Sequence, residues 1–258
     1  MEIHDYTGKA NLTLRQRPWL LLLKAVILLG TGGYLLILLL SGRISNYINI
    51  SNPSIQWLSW ASVPLILSLG AWSLWRVIRP GHPEDAPTNQ SSITGAALMI
   101  CSLPLLFGLL PSQPLGVDAI NGGVNMAPVG LVSVTSAEIA PEDRNVLDWL
   151  RAFGQLGDPT VLSGEPVDVI GFVYREPNMT EDQFMVARFT MSCCVADAYA
   201  IGMPVVYEGA PELAEGSWVH IQGTLQVGTF RPDDGLMPII IPEQVQPTDE
   251  PASAYLYS

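Results

Sequence analysis

The 258-residue chain carries 12 Lys/Arg against 24 Asp/Glu, a formal net charge of −12, yet its mean hydropathy is +0.30. That average joins two unlike halves: residues 1–111 hold seven cations and four anions, and residues 112–258 hold five cations and twenty anions. So acidic a second half repels phosphate backbones and argues against a nucleic-acid partner, and three cysteines, Cys101, Cys193 and Cys194, exclude a disulfide framework.

Residues 1–18 read as a polar tail, with Lys9, Arg15 and Arg17 close to the first apolar run. That run, Trp19 to Leu40, holds one charge, Lys24. A bilayer core of about 30 Å needs about 20 helical residues, so the run predicts a transmembrane helix. It exceeds the roughly 7–15 residue core of a cleaved signal, and no A-x-A site follows it. Lys24 lies about one turn inside the Trp19 boundary, where its stem can snorkel back to the headgroups.

The loop SGRISNYINISNPS, residues 41–54, has a single cation, Arg43. A second run, Ile55 to Ile78, predicts another membrane helix, with Trp57 and Trp60 at one end and Trp72 and Trp75 at the other as an aromatic belt. Pro64 interrupts it, which is tolerated in membranes where neighbours satisfy the freed carbonyl. Arg76 and Arg79 close it before a Pro-rich loop, and a third run, residues 93–110, is long enough to span or to form a re-entrant segment around Pro104. Cations near the helix ends place the tail and residues 79–92 in the cytoplasm. Three crossings then put residues 112–258 outside the cell membrane, which makes the protein multi-pass.

Residues 112–135 are Gly-rich and read as a linker, leaving 136–258 as an acidic, mostly β domain. Within it, residues 138–156 predict a short helix, with Pro141, Glu142 and Asp143 in its first turn and Val146, Leu147, Leu150 and Phe153 at helical spacing. From Glu165 the period changes to two. VDVIGFVY, QFMVARFTMSCCV, SWVHIQGTLQVGTF (bent at Gly223) and the short GLMPIIIP predict strands, and such strands between Gly and Pro fit a small OB-like barrel or a sandwich. The expected fold is therefore a membrane α-helical N-terminal half followed by a small mostly β domain with a short helix.

The stretches SGRISNYIN, LPLLFGLLP followed by GVDAINGG, GFVYRE, VARFTMSCCVADA, WVHIQGTL and the terminal AYLYS resemble the YcgQ-like family of bacterial membrane proteins. These stretches run from the first helix to the last residue, and the CC-x-x-D segment is the most specific of them. The resemblance implies a polytopic N-terminal half, a small C-terminal domain and a partner, a larger permease of the YcgR type. It implies no established substrate. One departure is Ala254 before Tyr255, where the family has Pro-Tyr ahead of Leu-Tyr.

Chemistry concentrates at Cys193-Cys194 with Asp197 three residues on. Neighbouring Cα atoms stand about 3.8 Å apart, below the roughly 4.4–6.8 Å of ordinary disulfides, so a vicinal disulfide is strained. On a continuing strand, Met185, Ala187, Phe189, Met191 and Cys193 share one face while Arg188, Thr190, Ser192 and Cys194 share the other. Both thiols reach one ion only if the strand ends here, which Ala196-Asp197-Ala198 permits. Three readings stand: packing of small buried thiols, a thiophilic metal such as zinc or a metalloid, and thiol redox through Cys194.

A fourth ligand for the metal reading is His220, although no local spacing links it to the cysteines, and alone it reads as a satisfied strand residue. His82 reads as solvated loop, His4 carries no signal, and Cys101 faces lipid or a helix. No nucleotide-binding, hydrolase or zinc-protease motif occurs in the chain, and Asp233-Asp234-Gly235 reads as a turn. The expectation is a non-enzymatic accessory subunit of a permease, with a membrane-anchored thiol-redox protein as the alternative.

Overall fold

The computed structural model describes residues 18–79, 100, 102–103, 113–120, 122–126, 139–230 and 235–257. The third apolar run apart from residues 100, 102 and 103 lies outside that set, as do Cys101, His82, His4 and Asp233-Asp234. The chain divides into two compact units, residues 1–44 with 56–112 and residues 45–55 with 113–258.

In the first unit, α1 spans Pro18–Leu40 and α2 spans Pro53–Ile78. Both are long and apolar enough to cross a membrane. Gly42 follows α1 at φ 73°, the left-handed conformation that ends a helix at low cost. At the start of α2, the Asn52 side chain accepts the Ser54 N–H at 3.0 Å, with Pro53 at the first helical position. This cap starts the helix two residues ahead of its apolar run. The two helices touch through glycine: a Cβ on Gly70 would lie 2.9 Å from the Leu29 side chain, and one on Gly32 would lie 2.7 Å from Leu67. Large apolar side chains, among them Trp57, Trp60, Leu65, Leu69, Trp72 and Trp75, remain exposed.

The second unit is a closed five-stranded barrel. Its strands are β1 (Pro166–Tyr174), β2 (Gln183–Met191), β3 (Tyr199–Val206), β4 (Trp218–Gly228) and β5 (Met237–Pro247), and β6 (Tyr255–Tyr257) is added beside β2. The order β1-β4-β5-β3-β2 closes through β1–β2, with a parallel β3–β5 contact. That is the Greek-key barrel order of an OB-like fold, so the barrel prevails over the sandwich. β4 is bulged between Gln222 and Gly223 where it pairs with β5. A Cβ at Gly223 would stand 2.3 Å from the Ile241 carbonyl oxygen, so the predicted bend needs glycine.

The helix α3, Val146–Gln155, starts later than its sequence pattern predicts. The Asn145 side chain accepts the N–H groups of Leu147 and Asp148, and Asp148 accepts the Asn145 N–H, a reciprocal cap that begins a new helix. Pro141–Asp143 form a separate 3-10 turn. Val146, Trp149 and Leu150 share the barrel core with Val169, Phe184, Val186, Ile221 and Ile240. Each such burial contributes roughly 1.5–3 kcal/mol.

The stretch expected to be a linker packs on this unit over its described residues. Val124 is buried with Phe172, Met185, Phe189 and Met191, and Asn125 exchanges backbone hydrogen bonds with Ala200 and Gly202 of β3. Arg188 is buried on β2. It donates to the carbonyls of Ile170, Ser253 and Ala254 and lies over the Trp218 ring, and burial pulls its pKa down to about 10.

Gly70→Leu forces apart the contact with Leu29, and overpacking of this kind costs about 1–3 kcal/mol. Gly33, where a Cβ meets nothing within 4 Å, is the control. Thermal unfolding in detergent is expected to show Gly70→Leu lowered by several degrees and Gly33→Leu unchanged.

Candidate metal centre

β2 pairs with β3 as far as Thr190 opposite Tyr199 and ends at Met191. It ends because Asp197 offers the next amides a better acceptor than another ladder rung. Asp197 Oδ1 accepts the Ser192 N–H at 2.9 Å, and Oδ2 accepts those of Cys193 at 2.8 Å and Cys194 at 3.3 Å. Val195–Asp197 close a 3-10 turn. The alternation of the strand therefore stops before the thiols. Cys193 is exposed instead of lying on the core face, Cys194 is half-buried, and both are free thiols.

Their sulfurs stand 3.6 Å apart. The ligand atoms of Cys193, Cys194 and Asp197 all lie within 4.8 Å of one another. Two thiolates at about 2.3 Å from a tetrahedral ion are separated by roughly 3.8 Å, so the pair needs only a slight opening to grip one ion. The Cys193 thiol is pushed up to about 12, first by its hydrogen bond to Asp197, then by Cys194, burial and the nearby negative charge.

Burial acts upward on Asp197, but the Cys193 thiol and the three backbone N–H groups outweigh it and hold the carboxylate below its usual range. The stabilisation from that depressed pKa is present above the unfolded value of about 3.9 and is lost as pH falls through the folded one. An ionised carboxylate has about four acceptor sites. Three N–H groups and the thiol use them, so Asp197 can give an ion the one position that the departing proton leaves.

His220 is not in this cluster. It lies on β4, where its Nε2 stands 2.5 Å from Asp168 Oδ1, and Gln222 donates to Asp168 Oδ2 at 2.7 Å. Asp168 and Gln222 face each other in the β1–β4 register. Burial raises the Asp168 pKa, but the bonds from Gln222 and His220 carry it below its usual value. His220 is thus the satisfied strand residue, and the fourth ligand expected from the sequence is not assembled.

Sequence reasoning missed the loop between α1 and α2. Ile48 bridges Cys194 antiparallel, and the Val195 N–H donates to the Tyr47 carbonyl at 2.8 Å. Asn49 donates its backbone N–H to the Cys193 carbonyl at 3.0 Å and its Nδ2 to the Ser192 carbonyl at 2.9 Å. Its Oδ1 accepts the Ser51 N–H, and the residue is 3% exposed. The only signal was the SGRISNYIN stretch itself.

With its pKa at about 12, Cys193 holds almost no thiolate at pH 8. Iodoacetamide labelling, resolved by peptide mass spectrometry, is expected to be slow at Cys193 and at least about tenfold faster in Asp197→Asn. Equal rates would show that the carboxylate does not hold the thiol.

The DUF1980 C-terminal domain profile matches residues 124–258. The UPF0703 protein YcgQ of Bacillus subtilis (strain 168) is 26% identical over 99 residues, a stretch covering 38% of this chain and only 35% of that relative. Two solved structures are similar to part of the chain. OBody AM2EP06 bound to hen egg-white lysozyme is 19% identical, covering 34% of this chain and 83% of that one at a TM-score of 0.23. The small single-stranded DNA-binding protein of Streptomyces coelicolor is 14% identical, covering 33% and 93% at a TM-score of 0.23. The barrel assignment rests on strand order alone. With residues 124–258, just over half of its length, matched, the chain belongs to the DUF1980 family of YcgQ-like proteins.

Proposed function

We propose that this protein is an accessory subunit of a membrane permease whose barrel domain binds a thiophilic metal or metalloid ion through Cys193 and Cys194. The observation that carries the reading is the thiol pair, 3.6 Å apart, with a carboxylate oxygen of Asp197 within 4.8 Å of both sulfurs. Two sulfurs and one oxygen leave a position open, as in exchanging sites and unlike closed structural ones. Exposure of Cys193 suits exchange as well. The acidic second half favours cation approach.

The permease part is supported by the membrane helices and by what they lack. α1 and α2 expose broad apolar faces, and Lys24 is the one charge well inside either run. Ions crossing a bilayer need polar or charged linings, so the path belongs to a partner, for which the YcgR-type permease is the candidate. Residues 45–55 pack in one unit with the barrel, which supports a common side of the membrane for the two. The apolar run 93–110 of the sequence is the candidate for a further crossing. Cation placement then puts the barrel outside. Thiol redox through Cys194 has less support, because Cys193 is held protonated and no cation among the described residues lowers its pKa.

The full chain, co-expressed with a YcgR-type permease and purified anaerobically in mild detergent without chelator, tests both parts. The permease is expected to co-purify, with about one ion per chain that is lost in Cys193→Ser/Cys194→Ser. An absent partner would overturn the subunit assignment, and equal metal in wild type and variant would overturn the site.

A further inference from the structure

We infer that the loop joining α1 to α2 is the second half of this ion site, with Asn49 as its positioning residue, so that ion occupancy and loop docking are linked. The inference rests on the reading of Cys193 and Cys194 as ion ligands.

The turn that carries the thiols is held from two directions. Asp197 takes the N–H groups of residues 192, 193 and 194. From the opposite side the loop takes the carbonyls of Ser192 and Cys193 and the N–H of Val195. Six backbone groups across four consecutive residues are therefore fixed, and only side-chain rotation is left to set the sulfur separation. Removing the loop side frees the two carbonyls and the Val195 N–H and lets the thiols drift from the bite an ion requires.

Asn49 is the centre of that contact. It is buried, and its backbone N–H, its side-chain NH2 and its side-chain oxygen all have partners. A side chain so satisfied has one low-energy placement, and that placement is on the thiol turn. The loop is also short, since residues 41–52 alone connect Leu40 at the end of α1 to Pro53 at the start of α2. Whatever steadies or loosens Asn49 therefore acts on the chain between two apolar helices. Linkage then runs both ways: a loop that tightens ion binding is itself held more firmly once the ion is bound, by the same factor.

Cadmium is the probe, because its bonds to thiolate give an ultraviolet charge-transfer band. The full chain in detergent is titrated as wild type and as Asn49→Ala, and hydrogen exchange at the amides of Asn49 and Val195 is followed in the wild type with and without cadmium. The expected results are about a tenfold weaker affinity in Asn49→Ala and slower exchange at both amides on loading. The exchange measurement decides the matter even where Asn49→Ala fails to fold. Equal affinity with unchanged exchange would overturn the linkage and leave the ion site standing. No cadmium band in the wild type would overturn the ion site and this inference together.

Discussion

The turn that carries the two thiols depends on one carboxylate. Asp197 gathers the amides of Ser192, Cys193 and Cys194, and in doing so it stops β2, turns the chain and brings two adjacent thiols to one side. A strand continuing through Cys194 would have sent the two sulfurs to opposite faces. The cost of leaving three amides without partners, about 1–3 kcal/mol each where buried and less here at the surface, is what makes the turn definite. The same carboxylate keeps the Cys193 thiol protonated.

Around that turn, the barrel and the loop between α1 and α2 meet within one folded unit. The barrel supplies rigidity: α3 and the strands share a continuous core, and the segment before the barrel covers the second face of β2. The loop supplies the remaining hydrogen bonds to the turn. A closed storage site would need a fourth ligand, and His220, the candidate the sequence offers, is committed to Asp168.

Much of this was legible in the sequence where one physical signal dominated. Two long apolar runs defined α1 and α2, period-two alternation defined β1 and β4, and Gly223 marked the bulge. The pairing of Cys193 and Cys194 with Asp197 followed from spacing alone, conditional on the strand ending. β3 was hidden because Gly202 and Pro204 look like strand breakers. Gly202 is required there, since a Cβ would lie 2.8 Å from Val124. β5 was underestimated because its second half, rich in Pro and Gln, is exposed and lacks an apolar signal. Asn49 was invisible for a different reason: its partners in the thiol turn lie more than 140 positions away, and no local pattern records a contact of that separation.

The account's central claim is that Cys193 and Cys194 grip a single ion together. X-ray absorption of the zinc-loaded full chain tests it most directly, because the first coordination shell separates sulfur from oxygen and nitrogen. The account predicts two sulfur scatterers at about 2.3 Å with lighter atoms completing the shell. A shell with one sulfur or none would contradict it.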